Sequence, residues 1–188
     1  MSKTNMKNRK TRLKTFRFTE SLADSLEKEA AEEDTTVNSL ANAILYGDLE
    51  WDKKAAEFGF IWIHRSEYRR LVDIADDIEL ERLGREVIFP TWKEMAEFWL
   101  QDSTPEGILE ALSLRSKFGS GPRTRITREN DEVTIVIRHE FGPKRSIILK
   151  SALQELAKAF HAMPRLNVGE SVITARFKVK GGDATNRV

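Results

Sequence analysis

The residues that could carry chemistry in this chain are few and scattered. The three histidines, His64, His139 and His161, lie far apart, and none has the i, i+3 or i, i+4 neighbour of a helical metal pair. There is no cysteine, so a Cys-ligated zinc site, an Fe–S cluster, a disulfide framework and a thiol nucleophile are all excluded. The densest polar cluster is Arg138-His139-Glu140-Phe141-Gly142-Pro143-Lys144-Arg145. Such a set could hold an anion, an effector or a haem; the plainer expectation is a solvated strand end before a turn. Glu129, Asp131 and Glu132 are near neighbours, but they surround a polar turn, and a carboxylate pair working as acid and base needs a cleft. No phosphate-binding loop, dinucleotide fingerprint, H-E-x-x-H or G-x-S-x-G occurs in the sequence. The expectation is therefore a protein that is not an enzyme and uses no cofactor or metal. Trp51, Trp62, Trp92 and Trp99 fall mostly on apolar faces, which points to core packing, with a ligand pocket or a dimer surface as the alternative.

Charge carries more information than any motif. The 188 residues sum to a net charge of +1, but the distribution is uneven. Residues 1–18 hold seven bases (Lys3, Lys7, Arg9, Lys10, Arg12, Lys14 and Arg17) and no acid. Residues 19–60 hold eleven acids and three bases, and residues 61–114 twelve acids and six bases. Residues 115–150 reverse the balance, with nine bases and four acids. A basic arm ahead of an acidic body suits a polyanion partner; a disordered, solubilising tail is the plainer alternative. The first residues lack the apolar run of a signal peptide, and no apolar run reaches the ~18 residues of a membrane span, so a cytoplasmic location away from membranes is expected.

The elements that must position these residues follow from periodicity. LKTFRF (13–18) alternates, with Phe16 and Phe18 on one face and Thr15 and Arg17 on the other, which predicts a short strand. Thr19 then caps a helix over 20–33 whose Leu22, Ala23, Leu26 and Ala30 share a face. Asp34-Thr35-Thr36 breaks it. Val37, Leu40, Ala41, Ile44 and Leu45 give a second helix over 36–46, with Gly47 placed to close it. A module this small cannot bury enough surface alone, and its edge strand needs another strand. A twofold dimer with paired antiparallel strands under four helices satisfies both requirements.

The stretch RLKTFRFTESLADSLEKEAAEEDTTVNSLANAIL resembles the ribbon-helix-helix (MetJ/Arc-type) DNA-binding proteins in the order and length of its elements. The resemblance implies that the paired strands enter the major groove of double-stranded DNA, with Thr15 and Arg17 reading bases and Leu13 at the margin. It also implies phosphate contacts at the start of the second helix, from Thr35, Thr36 and Asn38, joined by Lys3, Lys7, Arg9, Lys10 and Arg12 of the arm. The chain departs from the family pattern at Lys14, which falls on the inward face, at Leu13, which falls on the outward one, and at the inter-helix turn. That turn lacks a glycine, so Asp34 must serve.

Beyond the module, a helix is expected from Leu49 to Phe58, ending at Gly59, then a short strand at FIWI (60–63) and a helix capped by Ser66. Another helix covers 78–89 up to Pro90, Thr91 caps the next, and Thr104-Pro105 opens one that ends at Phe118-Gly119. The period then changes to two. Residues 123–129 and 132–140 form a hairpin about Asn130-Asp131, with Val133, Ile135 and Ile137 facing one way. Ser146 caps a helix carrying Ile148, Leu149, Leu153, Leu156, Ala157 and Phe160, which ends by Pro164, and 171–179 is a last strand.

The fold class expected is α+β: a basic arm (1–12), a ribbon-helix-helix module (13–47), a connecting helix (48–59), a helix-rich domain with a small antiparallel sheet (60–180) and a frayed tail (181–188). The topology of 60–180 loosely resembles haem-NO-binding and 4-vinyl-reductase-type ligand domains, which implies a sensor role. The reading is a homodimeric DNA-binding transcriptional regulator whose second domain senses a small-molecule effector or drives oligomerisation. The alternatives are an architectural or partition DNA-binding protein, an antitoxin, and a small-molecule-binding or enzymatic second domain. Antitoxins of this family usually append a short disordered tail, whereas some 120 residues here are expected to fold.

Overall fold

The computed structural model describes residues 12–119 and 122–179. The chain is α+β and divides into two compact units, Met1–Tyr46 and Gly47–Val188.

In the first unit, α1 (Glu20–Glu32) and α2 (Val37–Gly47) form a helical hairpin. Asp34 takes a left-handed conformation (φ 51°), so it fills the turn position where glycine is more common. Thr19 holds the extended N-cap geometry of α1 but makes no capping bond through its side chain. Thr36 caps α2, its Oγ1 accepting the Ser39 N–H at 3.1 Å. Gly47 keeps right-handed helical angles (φ −59°, ψ −48°) and does not close the helix as expected. The core is small, formed by Leu26, Ala30 and Leu40 with Val37 against them.

The second unit is built around α8 (Pro143–Ala159). Ile148, Leu149, Ala152, Leu153, Leu156 and Ala157 are all buried and span about half of its circumference, an arc of roughly 180°. An apolar face that wide needs more than one packing partner, each fully buried Leu or Ile contributing about 1.5–3 kcal/mol. One set of partners is a four-stranded antiparallel sheet of order β1-β2-β4-β3, from β1 (Arg123–Glu129), β2 (Glu132–Arg138), β3 (Arg165–Val168) and β4 (Val172–Lys178). Its inner face carries Val133, Ile135, Ile137, Ile173, Ala175 and Phe177 into the core. The hairpin turns at Asn130 (φ 53°) and Asp131, as the alternation predicts; β3 was not expected.

The other partners are α5 (Asp77–Leu83) and a π-helical turn, Gly84–Ile88, that leads into α6 (Phe89–Leu100). The break expected at Pro90 is absent. Proline removes one ladder bond and crowds the carbonyl four residues back. The π turn, in which the Phe89 N–H bonds to the Gly84 carbonyl, widens the helix just before it. Thr91 therefore caps nothing; its Oγ1 donates to the Val87 carbonyl at 2.8 Å. Gly84 is buried where this turn meets α8, and a Cβ there would lie 2.7 Å from Ser151 Cβ and press on the Ile148 carbonyl.

Further expectations shift by a few residues. The segment 48–59, expected as a connector, winds as a π turn (Asp48–Asp52) and α3 (Lys53–Phe58), and its Trp51 and Ala55 are buried in the core. FIWI is not a strand: Phe60 packs inward, while Ile61 and Trp62 are more than 80% exposed. Trp62 is thus the tryptophan that leaves the core. In α4 (Arg65–Ile74) the cap is His64, whose Nδ1 accepts the Ser66 N–H, and not Ser66. In α7 (Pro105–Phe118), Thr104 caps as expected, accepting the Gly107 N–H at 3.2 Å. The start of α8 moves to Pro143, three residues before the expected cap Ser146. Gly142 supplies the entry with φ 80°, a value most side chains avoid.

Candidate functional site

The base-reading residues expected in the first unit lie on one extended stretch. Residues 12–19 are neither helical nor paired as a strand within the chain, so a ribbon here requires a second copy. Leu13, Thr15 and Arg17 are exposed, as is Arg12. Phe16 and Phe18 are 62% and 44% exposed, their rings stacked at 6.4 Å. A ring contact between residues i and i+2 is what an extended backbone produces. Leu22, Ile44 and Leu45 are also exposed, so among the described residues the unit leaves more large apolar side chains exposed than buried.

At the start of α2, Thr35, Thr36 and Asn38 are exposed. The Thr36 hydroxyl is already committed to Ser39, donating to its Oγ at 2.9 Å and accepting its N–H. What this helix end can give a phosphate is therefore its first-turn backbone amides together with Thr35 and Asn38. Lys3, Lys7, Arg9 and Lys10 lie outside the described residues.

A second basic surface emerges from strand register. Cross-strand partners share a face, so Arg123, Arg125 and Thr127 of β1 join Arg138 of β2, Arg176 and Lys178 of β4, and Arg165 of β3 on the outer side of the sheet. The five arginines are exposed. Arg123 sits directly opposite Arg138, and Arg165 opposite Arg176, pairings that repel unless something negative lies over them. The basic swing of 115–150 is legible in the sequence, but this face is not, because it is completed by β3, a short strand that supplies Arg165.

The polar cluster at 138–145 is not a solvated strand end. His139 is 4% exposed and Arg145 7%. The His139 Nε2 lies 2.9 Å from Ser146 Oγ, which donates to the Gly169 carbonyl at 2.6 Å. Glu140 pairs with Arg65, and Phe141 meets the Tyr68 ring edge-on at 4.9 Å. Lys144 Nζ donates to the Asp73 and Ala75 carbonyls at the end of α4. Arg145 Nη1 donates to the Tyr68 hydroxyl at 2.7 Å. These contacts clamp α4 to the junction of β2 and α8. Burial first, then the positive charge of Arg145, hold the His139 imidazole below its ordinary 6.5.

His64 and His161 take no part in this cluster, and the described residues contain no group of His, Asp and Glu able to hold a metal ion. None of the described helices is long and apolar enough to cross a membrane. No known protein family matches this chain, nor does any curated protein or solved structure.

Proposed function

We propose that this chain is a homodimeric DNA-binding regulator that reads the major groove with a two-stranded ribbon formed by residues 13–18 of two copies. The observation that carries the reading is the imbalance of the first unit. Among the described residues its core is three buried side chains, while Phe16, Phe18, Leu22, Ile44 and Leu45 are exposed. A second copy covers these groups and supplies the missing strand partner in one step. With Phe16 and Phe18 turned into such an interface, Thr15 and Arg17 face outward, and an arginine there can make a bidentate contact to guanine. The basic arm adds phosphate contacts whose contribution falls with salt.

A second reading has its own support. The outer face of the sheet, with Arg123, Arg125, Arg138, Arg165 and Arg176, suits a phosphate backbone without a base code, as in an architectural DNA-binding protein. Footprinting of genomic DNA captured by the full chain, with light scattering of the free protein, separates the two. A dimer on a discrete, twofold-symmetric site is expected. Dispersed capture without a common sequence supports the sheet face instead, and a monomer without affinity for DNA overturns both.

A further inference from the structure

The second unit brings two guanidinium groups, Arg145 buried and Arg115 half-buried, to one cavity with no carboxylate among its described lining residues. Arg145 is 7% exposed; its guanidinium carbon lies 5.6 Å from the Tyr68 ring centroid, and its buried Nε has no hydrogen-bond partner. Arg115 stacks its guanidinium over Phe60 at 5.2 Å. Both arginines line a cavity of about 10 Å³ whose walls include Trp92, Leu112, Thr124 and Leu149. Among the described residues, no ion pair includes either arginine.

Two cations lining one poorly hydrated cavity repel each other unless a counter-charge offsets them. Burial, and next the charge of Arg145, bring the Arg115 guanidinium down to about 10. That still leaves Arg115 charged at neutral pH, so its deprotonation does not relieve the repulsion. An anion between them does. The space sets its size, since a cavity of this volume admits about one water-sized body. Tetrahedral phosphate, with five heavy atoms, is too large.

We propose that the cavity between Arg115 and Arg145 is an anion site that takes one compact negative charge, a monatomic halide ion. Arg145 Nε donates to it, both guanidinium charges are compensated, and the apolar walls strengthen the attraction by excluding water. The site stands independently of the DNA-binding reading, because each of its residues belongs to the second unit.

Thermal unfolding of the full chain tests this at constant pH and ionic strength, with methanesulfonate, too bulky for the cavity, as the balancing anion. Chloride, bromide, acetate and phosphate are each exchanged into it. The expected result is a saturable rise in Tm of about 3–10 °C with chloride or bromide at 10–100 times Kd, and none with acetate or phosphate. Arg115→Met, which keeps an apolar stem of similar length, should abolish the rise, while Tyr68→Phe, which keeps both guanidiniums, should retain it. If Arg115→Met does not fold, crystals of the unaltered chain grown in bromide decide the matter by anomalous scattering, with a peak between the two arginines expected. Equal Tm in every salt, a response to acetate or phosphate, a response of Arg115→Met equal to that of the unaltered chain, or an empty cavity in bromide overturns the proposal.

Discussion

The Ser146 hydroxyl fixes the tautomer of His139. Ser146 Oγ lies 2.6 Å from the Gly169 carbonyl, which can only accept, so its single proton goes there. It must then accept at 2.9 Å from His139, whose Nε2 carries the hydrogen. The Nδ1 lone pair is left buried, with no partner. Burial first, and then the nearby Arg145 charge, disfavour protonating it, so the imidazole is held below its ordinary value.

That depression has a sign in stability. The unfolded chain binds a proton at His139 more readily than the folded one, so folding weakens as pH falls. The loss begins near the ordinary 6.5 and continues down to the depressed folded value, with a slope of at most ~1.4 kcal/mol per pH unit. His139→Gln keeps a donor toward Ser146 and cannot titrate. It should flatten this part of the curve in denaturant melts between pH 7.5 and 5. An unchanged slope would mean that His139 titrates in the folded state as it does in the unfolded chain.

Periodicity made most of the second unit legible. Val133, Ile135 and Ile137, and the apolar set of α8, are buried as the pattern requires. Features set by single contacts between distant segments were not readable. Nothing local tells that Pro90 is tolerated by a π turn, or that Ser146 bonds across 23 residues to Gly169 rather than capping its helix. The cluster at 138–145 reads as surface because none of its eight residues is Ala, Val, Leu, Ile or Met; the burial of His139 and Arg145 depends on α4, some 70 residues away, arriving to receive Lys144 and Arg145. In the first unit, the helices and the Asp34 turn were legible, but the strand expected over 13–18 is not paired within one copy.

Gly84 should tolerate no side chain. A Cβ would meet the Ile148 carbonyl and Ser151 Cβ, both on α8, where backbone cannot yield cheaply. Gly84→Ala should cost about 3 kcal/mol despite alanine's better helix propensity, the upper end of the overpacking range. Urea unfolding with an unchanged m-value reads this directly; a stabilised variant would show that the turn and α8 are further apart.

Phe18 should matter more in the dimer than its 44% exposure suggests. Phe18→Ala is expected to weaken self-association about 100-fold, the equivalent of losing ~3 kcal/mol of aromatic burial. Phe18→Asp should leave a monomer at micromolar concentration, since it would bury an unpaired charge. Sedimentation equilibrium measures both. If the two variants associate as the unaltered chain does, the phenylalanines lie outside the interface.

Arg17 and the sheet arginines should fail in different ways. Arg17 is exposed on the stretch that would form the ribbon, opposite the phenylalanine face. Arg17→Ala should cost about 1–3 kcal/mol on a specific duplex and much less on a random one, because a bidentate base contact is lost. Thr15→Ala should act in the same direction, more weakly. Neutralising Lys3, Lys7, Arg9 and Lys10 should weaken both duplexes alike and flatten the salt dependence, each phosphate contact accounting for a slope of roughly 0.9 in log Kd against log salt. Arg125→Ala with Arg176→Ala on the sheet should change neither duplex if the ribbon is the interface. Equal weakening of both duplexes by the sheet pair, with Arg17→Ala silent, would move the DNA contact to the second unit and leave the first as a dimerisation device.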